Sequence, residues 1–85
     1  MWIRSQDRTK LVDASELNIC SSYKVVGIYA GINALGMYST EEKAMKVMDM
    51  IEDTILKCEA MRTGYAEYDF GEFVFDMPAD KDVEV

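Results

Sequence analysis

The sequence predicts an α+β protein in which a small antiparallel sheet of about five strands packs on one long helix, in the order β-β-β-β-α-β. Three observations predict this class. Short alternating or β-branched segments separated by polar or glycine-containing turns occupy residues 2–38. A run with apolar residues three and four positions apart follows over residues 41–64. A last alternating segment ends at Pro78.

The first hairpin is predicted near the N-terminus. Residues 2–5 and 10–13 read as its two strands, and the polar residues 6–9 between them include an Asp suited to a turn. Residues 17–20 also alternate, so they extend or bulge the second strand before Ser21 and Ser22 break it.

The second hairpin contains the clearest strand signal. Residues 23–29 are mostly β-branched or aromatic, and residues 34–38 return as the next strand after a loop over 30–33. Gly27 and Gly36 lie inside these strands, where glycine marks a bulge or a close approach by the helix backbone.

The helix is predicted from its start signal and its apolar stripe. Ser39 to Glu42 form a capping box, in which Ser39 accepts from the Glu42 amide and the Glu42 side chain accepts from the Ser39 amide. The stripe comprises Ala44, Val47, Met48, Ile51, Ile55 and Cys58. The opposite face offers two favourable ion pairs, Glu42–Lys46 and Asp53–Lys57. Gly64 is a natural end of the helix.

The C-terminal third is acidic and aromatic. Phe73, Phe75 and Met77 alternate with polar neighbours and are predicted to face the core, and Pro78 ends the strand. We predict one domain over residues 1–78 and a short, frayed acidic tail over 79–85.

Charge excludes several partners. The formal net charge is −7, and residues 63–85 hold seven acids against one lysine. Such a chain is repelled by bulk nucleic acid and by anionic membranes. The longest uncharged stretch, residues 25–40, is too short and too broken to span a bilayer, and no basic and apolar leader opens the chain. We therefore expect a cytoplasmic protein.

The chain carries few groups suited to catalysis. Histidine is absent, which removes Ser-His and Cys-His nucleophile pairs and the commonest general base. Cys20 and Cys58 are expected to be buried free thiols, and no metal-site spacing or phosphate loop is present. We expect no enzymatic activity, no cofactor and no metal.

Two charged clusters are candidate binding residues. The first is an acidic and aromatic set expected to bind a basic partner: Glu67, Asp69, Glu72 and Asp76, with Tyr65, Tyr68 and Phe70 as aromatic anchors. Its alternative interpretation is a twisted strand with one buried face. The second set, Arg4, Arg8 and Lys10, either balances acids elsewhere or receives the phosphate of a nucleotide.

A third feature concerns self-association. Apolar residues make up 49% of the chain, a high share for so small a domain. Met45, Met50 and Leu56 flank the helix stripe, so they widen the core face or line a surface for another subunit. We expect a homo-oligomer.

Three segments resemble a family of small uncharacterised proteins of Gram-positive bacteria and their phages. The family pattern runs IRSQD followed by LV, then LGxY[ST]xExA, then a final MP. Residues 3–12, 35–44 and 77–78 carry these segments, with one additional residue before Ala44. The resemblance spans nearly the whole chain. It implies a phage or prophage setting and expression in the bacterial cytoplasm, but it implies no activity and no functional residues.

These observations lead to three functional hypotheses. The first is a non-enzymatic phage protein that inhibits a host defence factor, its carboxylates standing in for phosphates in a basic nucleic-acid-binding site. The second is an oligomeric sponge that sequesters a nucleotide signal through Arg4, Arg8 or Lys10. The third is an accessory or structural phage protein.

Overall fold

The computed structural model describes residues 1–64 and 74–85, with side chains in the helix described as far as Lys57. The described strands are β1 (Trp2–Arg4), β2 (Leu11–Asp13), β3 (Asn18–Ser22), β4 (Val25–Ala30), β5 (Asn33–Tyr38) and β6 (Val74–Asp76). The helix α1 spans Glu41–Gly64, and a 3₁₀ turn spans Asp80–Asp82. The predicted α+β class with one long helix is confirmed.

The described strands form two small sheets rather than one. One has the order β2-β1-β6 and the other the order β3-β4-β5. Five strands precede the helix because residues 18–22 form a strand of their own, paired with β4 instead of extending β2. The last strand, β6, lies parallel to β1, with Ile3 opposite Phe75. A parallel partner was not expected from a chain of hairpins.

The core lies between the sheets and one face of α1. Its fully buried side chains include Ile3, Ile28, Leu35, Tyr38 and Val47. The predicted helix stripe is confirmed over its first turns: Ala44, Val47 and Ile51 are buried, and Met48 packs against the core. Ile55 is 39% exposed, so burial along the stripe weakens toward the second half of the helix. The Cys58 side chain lies outside the described part.

The helix begins one residue later than the capping box predicts. Thr40, not Ser39, supplies the cap, because its Oγ1 accepts from the Lys43 amide N–H at 3.2 Å. The Ser39 N–H and hydroxyl instead donate to Asp80 Oδ1 at 2.8 and 3.1 Å. The Asp53–Lys57 ion pair forms as predicted, at 3.0 Å.

The expectation of a frayed C-terminal segment is wrong. Val83 is 5% exposed and belongs to the main core. Asp80 holds the start of α1 through Ser39 and Lys43, whose Nζ donates to the Asp80 carbonyl oxygen at 2.9 Å. Residues 79–85 therefore fold back onto the N-terminal end of the helix.

Two further expectations need correction. Side chains, not the helix backbone, crowd the strand glycines. A Cβ on Gly27 would lie 2.6 Å from Tyr29 and 2.8 Å from Met37, while one on Gly36 would lie 3.0 Å from Tyr38. The predicted bulge does occur, as a register shift between β4 and β5 after Ile28. Cys20 is a free thiol as expected, but it is exposed rather than buried.

Candidate functional site

Gln6 joins the two sheets through its side-chain amide. Its Oε1 accepts from the Met37 N–H at 3.0 Å, and its Nε2 donates to the Met37 and Pro78 carbonyl oxygens, both at 3.1 Å. Its backbone N–H also donates to the Leu35 carbonyl oxygen at 2.7 Å. One residue therefore satisfies backbone groups of both β5 and the segment after β6, as a neighbouring strand would.

Tyr38 strengthens the same junction from the core side. Its side chain is fully buried, and its hydroxyl donates to the Pro78 carbonyl oxygen at 2.8 Å. Burial, together with the nearby Asp80 carboxylate, raises the pKa of Tyr38 to about 12. The phenol stays protonated at neutral pH and keeps its donor role.

The turn between β1 and β2 is organised around Asp7. Its Oδ1 accepts from the Thr9 hydroxyl at 2.7 Å, the Thr9 N–H at 3.0 Å and the Ser5 hydroxyl at 2.7 Å. These bonds, with those from Thr9 the largest cause, lower the pKa of Asp7 to about 2. Ser5 is 2% exposed, and its Oγ accepts in turn from the Lys10 N–H. The turn is a closed network of local hydrogen bonds.

The three segments of the sequence pattern meet at this junction. IRSQD supplies Gln6, LGxY[ST] supplies Met37, Tyr38 and Ser39, and MP supplies the Pro78 carbonyl group. Their described polar groups bond to each other or to Asp80, over separations as large as 72 residues. The pattern thus coincides with contacts that hold the fold together.

Acid should weaken this network. The Ser39 N–H, the Ser39 hydroxyl and Lys43 hold the pKa of Asp80 below its ordinary value, as Thr9 and Ser5 do for Asp7. A carboxyl whose pKa is depressed in the folded state stabilises the fold above its unfolded pKa, and this contribution disappears as pH falls through the folded pKa. We expect the melting temperature to fall as the pH drops from about 5 to about 2. Circular dichroism melts should show a shallower fall for Asp7→Asn, and an unchanged slope would contradict the assignment.

The basic candidates lie close to an acid of the other candidate set. Arg4 Nη1 lies 3.5 Å from the Arg8 carbonyl oxygen, and Arg8 Nη1 lies 3.9 Å from Asp76 Oδ1. Arg4 also faces Asp76 across the β1–β6 pairing. Lys10 is exposed at the end of the same loop. Asp76 therefore offsets part of the positive charge that a phosphate would need.

Most of the acidic and aromatic candidates lie outside the described residues. Tyr65, Glu67, Tyr68, Asp69, Phe70 and Glu72 fall in this group, and only Asp76 of that set is placed, exposed and beside Arg8. Their proposed role in binding a partner stays a prediction. Phe75 and Met77 are buried, as the alternation predicts.

A second acidic surface is formed by described residues. A shallow groove along the first turns of α1, which we call the acidic groove, is lined by Glu41, Glu42, Asp49, Lys46, Met45 and Val85. Met45 is 49% exposed there. The adjoining C-terminal segment adds exposed Asp82 and Glu84. Of these acids, the sequence pattern placed Glu42 on the helix face opposite the apolar stripe. The apolar Val83 within the acidic tail is the sequence feature that agrees with the packing of the tail, and the prediction of a frayed tail missed it.

The residues flanking the helix stripe are exposed. Met45 is 49%, Met50 38% and Leu56 58% exposed, so they do not widen the core face. Met45 also borders an apolar groove of about 390 Å³ with Ile3, Leu17 and Ile51. The expected role of these side chains in oligomerisation stays a prediction.

The described residues form neither a metal site nor a membrane-spanning helix. Among the described residues, no group of three or more acids or cysteines is placed to hold a metal ion. No helix in the described part is long and apolar enough to span a membrane. Comparison of the chain with protein families, curated proteins and solved structures finds no match.

Proposed function

We propose that this protein is a non-enzymatic binding protein that covers a basic, nucleic-acid-binding surface of another protein. The acidic groove is the observation that carries the proposal, because three acids, Glu41, Glu42 and Asp49, line it together with the exposed Met45 and only one lysine. An apolar centre with a charged rim is the composition of protein interfaces. The net charge of −7 adds long-range attraction to a basic partner.

The kind of partner follows from the setting that the sequence resemblance implies. In a phage-infected bacterium, a small acidic protein that occupies the nucleic-acid channel of a host protein prevents that protein from binding its nucleic acid. Carboxylates of the acidic groove take the places of phosphates, while Met45 supplies apolar contact. We therefore propose a host defence factor as the target. Residues 67–72 add three further acids to the negative charge of the chain.

Capture experiments test this proposal. The immobilised protein is exposed to bacterial lysate, and bound proteins are eluted with duplex DNA. We expect the captured proteins to bind nucleic acid and to be released by DNA, and capture to weaken as salt rises, because exposed charges are screened beyond about 8 Å at physiological ionic strength. Captured proteins that DNA does not release would contradict the proposal.

Matched variants locate the surface. Glu42→Gln with Asp49→Asn removes two charges from the acidic groove, and Glu67→Gln with Glu72→Gln removes two from the sequence-predicted set. Asp13→Asn with Glu16→Gln removes two exposed charges elsewhere and serves as the control. We expect the first pair to slow association with the captured protein and the control to leave it nearly unchanged. If all three pairs of substitutions slow association equally, the net charge of the chain attracts the partner and no defined surface binds it.

The nucleotide sponge is the second candidate, and the proximity of Arg4 to Arg8 favours it. Phosphate binding there has to compete with Asp76, which lies 3.9 Å from the Arg8 guanidinium. Asp76→Asn should therefore tighten nucleotide binding, whereas Arg8→Gln should abolish it, as measured by calorimetry with a panel of nucleotides. If none binds, and capture also fails, an accessory phage role is the remaining hypothesis.

A further inference from the structure

Strand β3 forms an edge of its sheet in the described part of the chain, and we call its outer side the open edge. It pairs with β4 on one side through five consecutive residues, and no described strand pairs with its other side. Natural edge strands are usually blunted by lysine, proline, a bulge or an inward-pointing charge, because an open edge offers its backbone groups to another strand. β3 has none of these devices, and residues 17–23 carry no charge.

The register shows which backbone groups face outward. Both backbone polar groups of Met37 bond to the bridging glutamine side chain, so they point away from β4. Hydrogen-bonding direction alternates along an antiparallel ladder, so Gly27, opposite Met37, directs its groups toward β3 and its partner Cys20. Cys20 therefore bonds inward, while Ile19 and Ser21 direct their N–H and C=O groups to the open edge.

We propose that β3 pairs with β3 of a second copy of this chain, antiparallel about a two-fold axis at Cys20. In this arrangement Ile19 of each copy lies opposite Ser21 of the other, and each such pair exchanges two N–H···O=C bonds. The two-fold axis makes the edge complementary to itself. The proposal does not rest on the acidic groove or on its proposed partner, although Ser21 and Ser22 line a pocket together with Glu41 of that groove.

Charge and side-chain size favour a second copy as the occupant. Two chains of net charge −7 repel each other, and they approach with least repulsion along a segment that carries no charge. The residues that point away from the core on β3 are Asn18, Cys20 and Ser22, all exposed and none bulky. They leave room for a neighbouring strand that continues the sheet from three strands to six.

The exposed thiol of Cys20 reports on this register. Two Cys20 residues on the axis form a non-hydrogen-bonded pair with Cα atoms about 4.5 Å apart, within the range that a disulfide spans. In the Cys58→Ser variant, diamide oxidises the two thiols to one disulfide by taking up their two protons and two electrons. We expect rapid conversion to a covalent dimer on a non-reducing gel, with little dependence on dilution above the dissociation constant.

A cysteine two residues away is the register control. In the Cys20→Ser, Cys58→Ser background, Ser22→Cys lies opposite Asn18 of the second copy, and the two introduced thiols are about 14 Å apart. They should not crosslink to each other, but a mixture of Ser22→Cys and Asn18→Cys chains should. Equal crosslinking at position 20 and position 22, or none at 20, would overturn the proposal.

Association without a crosslink is tested by a proline. Ser21→Pro removes an outward-facing N–H without removing a bond to β4, whereas Ser21→Ala keeps it. Light scattering at high micromolar concentration should show a dimer for the wild type and Ser21→Ala and a monomer for Ser21→Pro, with melts showing that each is folded. A wild-type monomer, or a dimer that survives the proline in a folded chain, would contradict the pairing.

Discussion

Ile51→Ala is expected to lower the free energy of unfolding by about 2–5 kcal/mol. Ile51 is 2% exposed at the centre of the described helix face and belongs to the same core cluster as Ile3 and Val47. Truncation to alanine removes three carbon atoms from a site where sheet and helix residues surround them, so the loss includes a cavity as well as transfer free energy. A domain of this size has a total stability of about 4–13 kcal/mol, so the variant should approach unfolding.

Ile55→Ala is the matched control, one helical turn further along the same stripe. Ile55 is 39% exposed, so the same chemical change should cost about 1 kcal/mol or less. Urea titrations followed by circular dichroism measure both values. Equal losses at the two positions would show that the core extends further along α1 than the described burial indicates.

Gln6→Ala is expected to cost about 2–4 kcal/mol, because three side-chain hydrogen bonds each contribute about 0.5–1.5 kcal/mol. The variant leaves the Met37 N–H and C=O without their partners, and Pro78 keeps only its bond from Tyr38. The two sheets should then separate more easily along β5. Lys10→Ala is the control, since the exposed Lys10 side chain makes no bond across this junction among the described residues.

Amide hydrogen exchange distinguishes loss of the bridge from general destabilisation. In the wild-type protein the Met37 N–H donates to Gln6 Oε1. Its amide should therefore exchange more slowly than the 38% exposure of the residue would suggest. In Gln6→Ala its exchange should accelerate more than that of Gly27 or Ile28, whose strand pairing on β4 is retained. If amide exchange accelerates equally in β4 and β5, Gln6 stabilises the whole fold and not specifically the contact between the two sheets.

Local patterns predicted the elements well wherever one physical cause dominated. The spacing of Ala44, Val47 and Ile51 specifies a helix because burial on one face requires it, and the β-branched run around Val25, Val26 and Ile28 specifies a strand for the same reason. The last strand was also predicted from alternation, and its buried Phe75 and Met77 agree.

The candidate site was less predictable because its contacts join distant residues. A single sequence gives no reason for Gln6 to bond Pro78 across 72 positions, or for Asp80 to displace the predicted cap at Ser39. The contact between the two candidate sets was equally unpredictable: Asp76, which belongs to the acidic and aromatic set, lies 3.9 Å from Arg8 of the basic set.

By itself, therefore, the sequence determined the α+β class, the extent of the helix, the buried stripe along its first turns and the acidic composition of the chain, since each depends on composition or short-range periodicity. Only the tertiary structure decided that the described strands divide into two sheets, that β6 runs parallel to β1 and that β3 has β4 as its one neighbour among them. Strand pairing depends on which backbone donors and acceptors remain without a hydrogen-bond partner after the whole chain has packed. No local segment of the sequence contains that information.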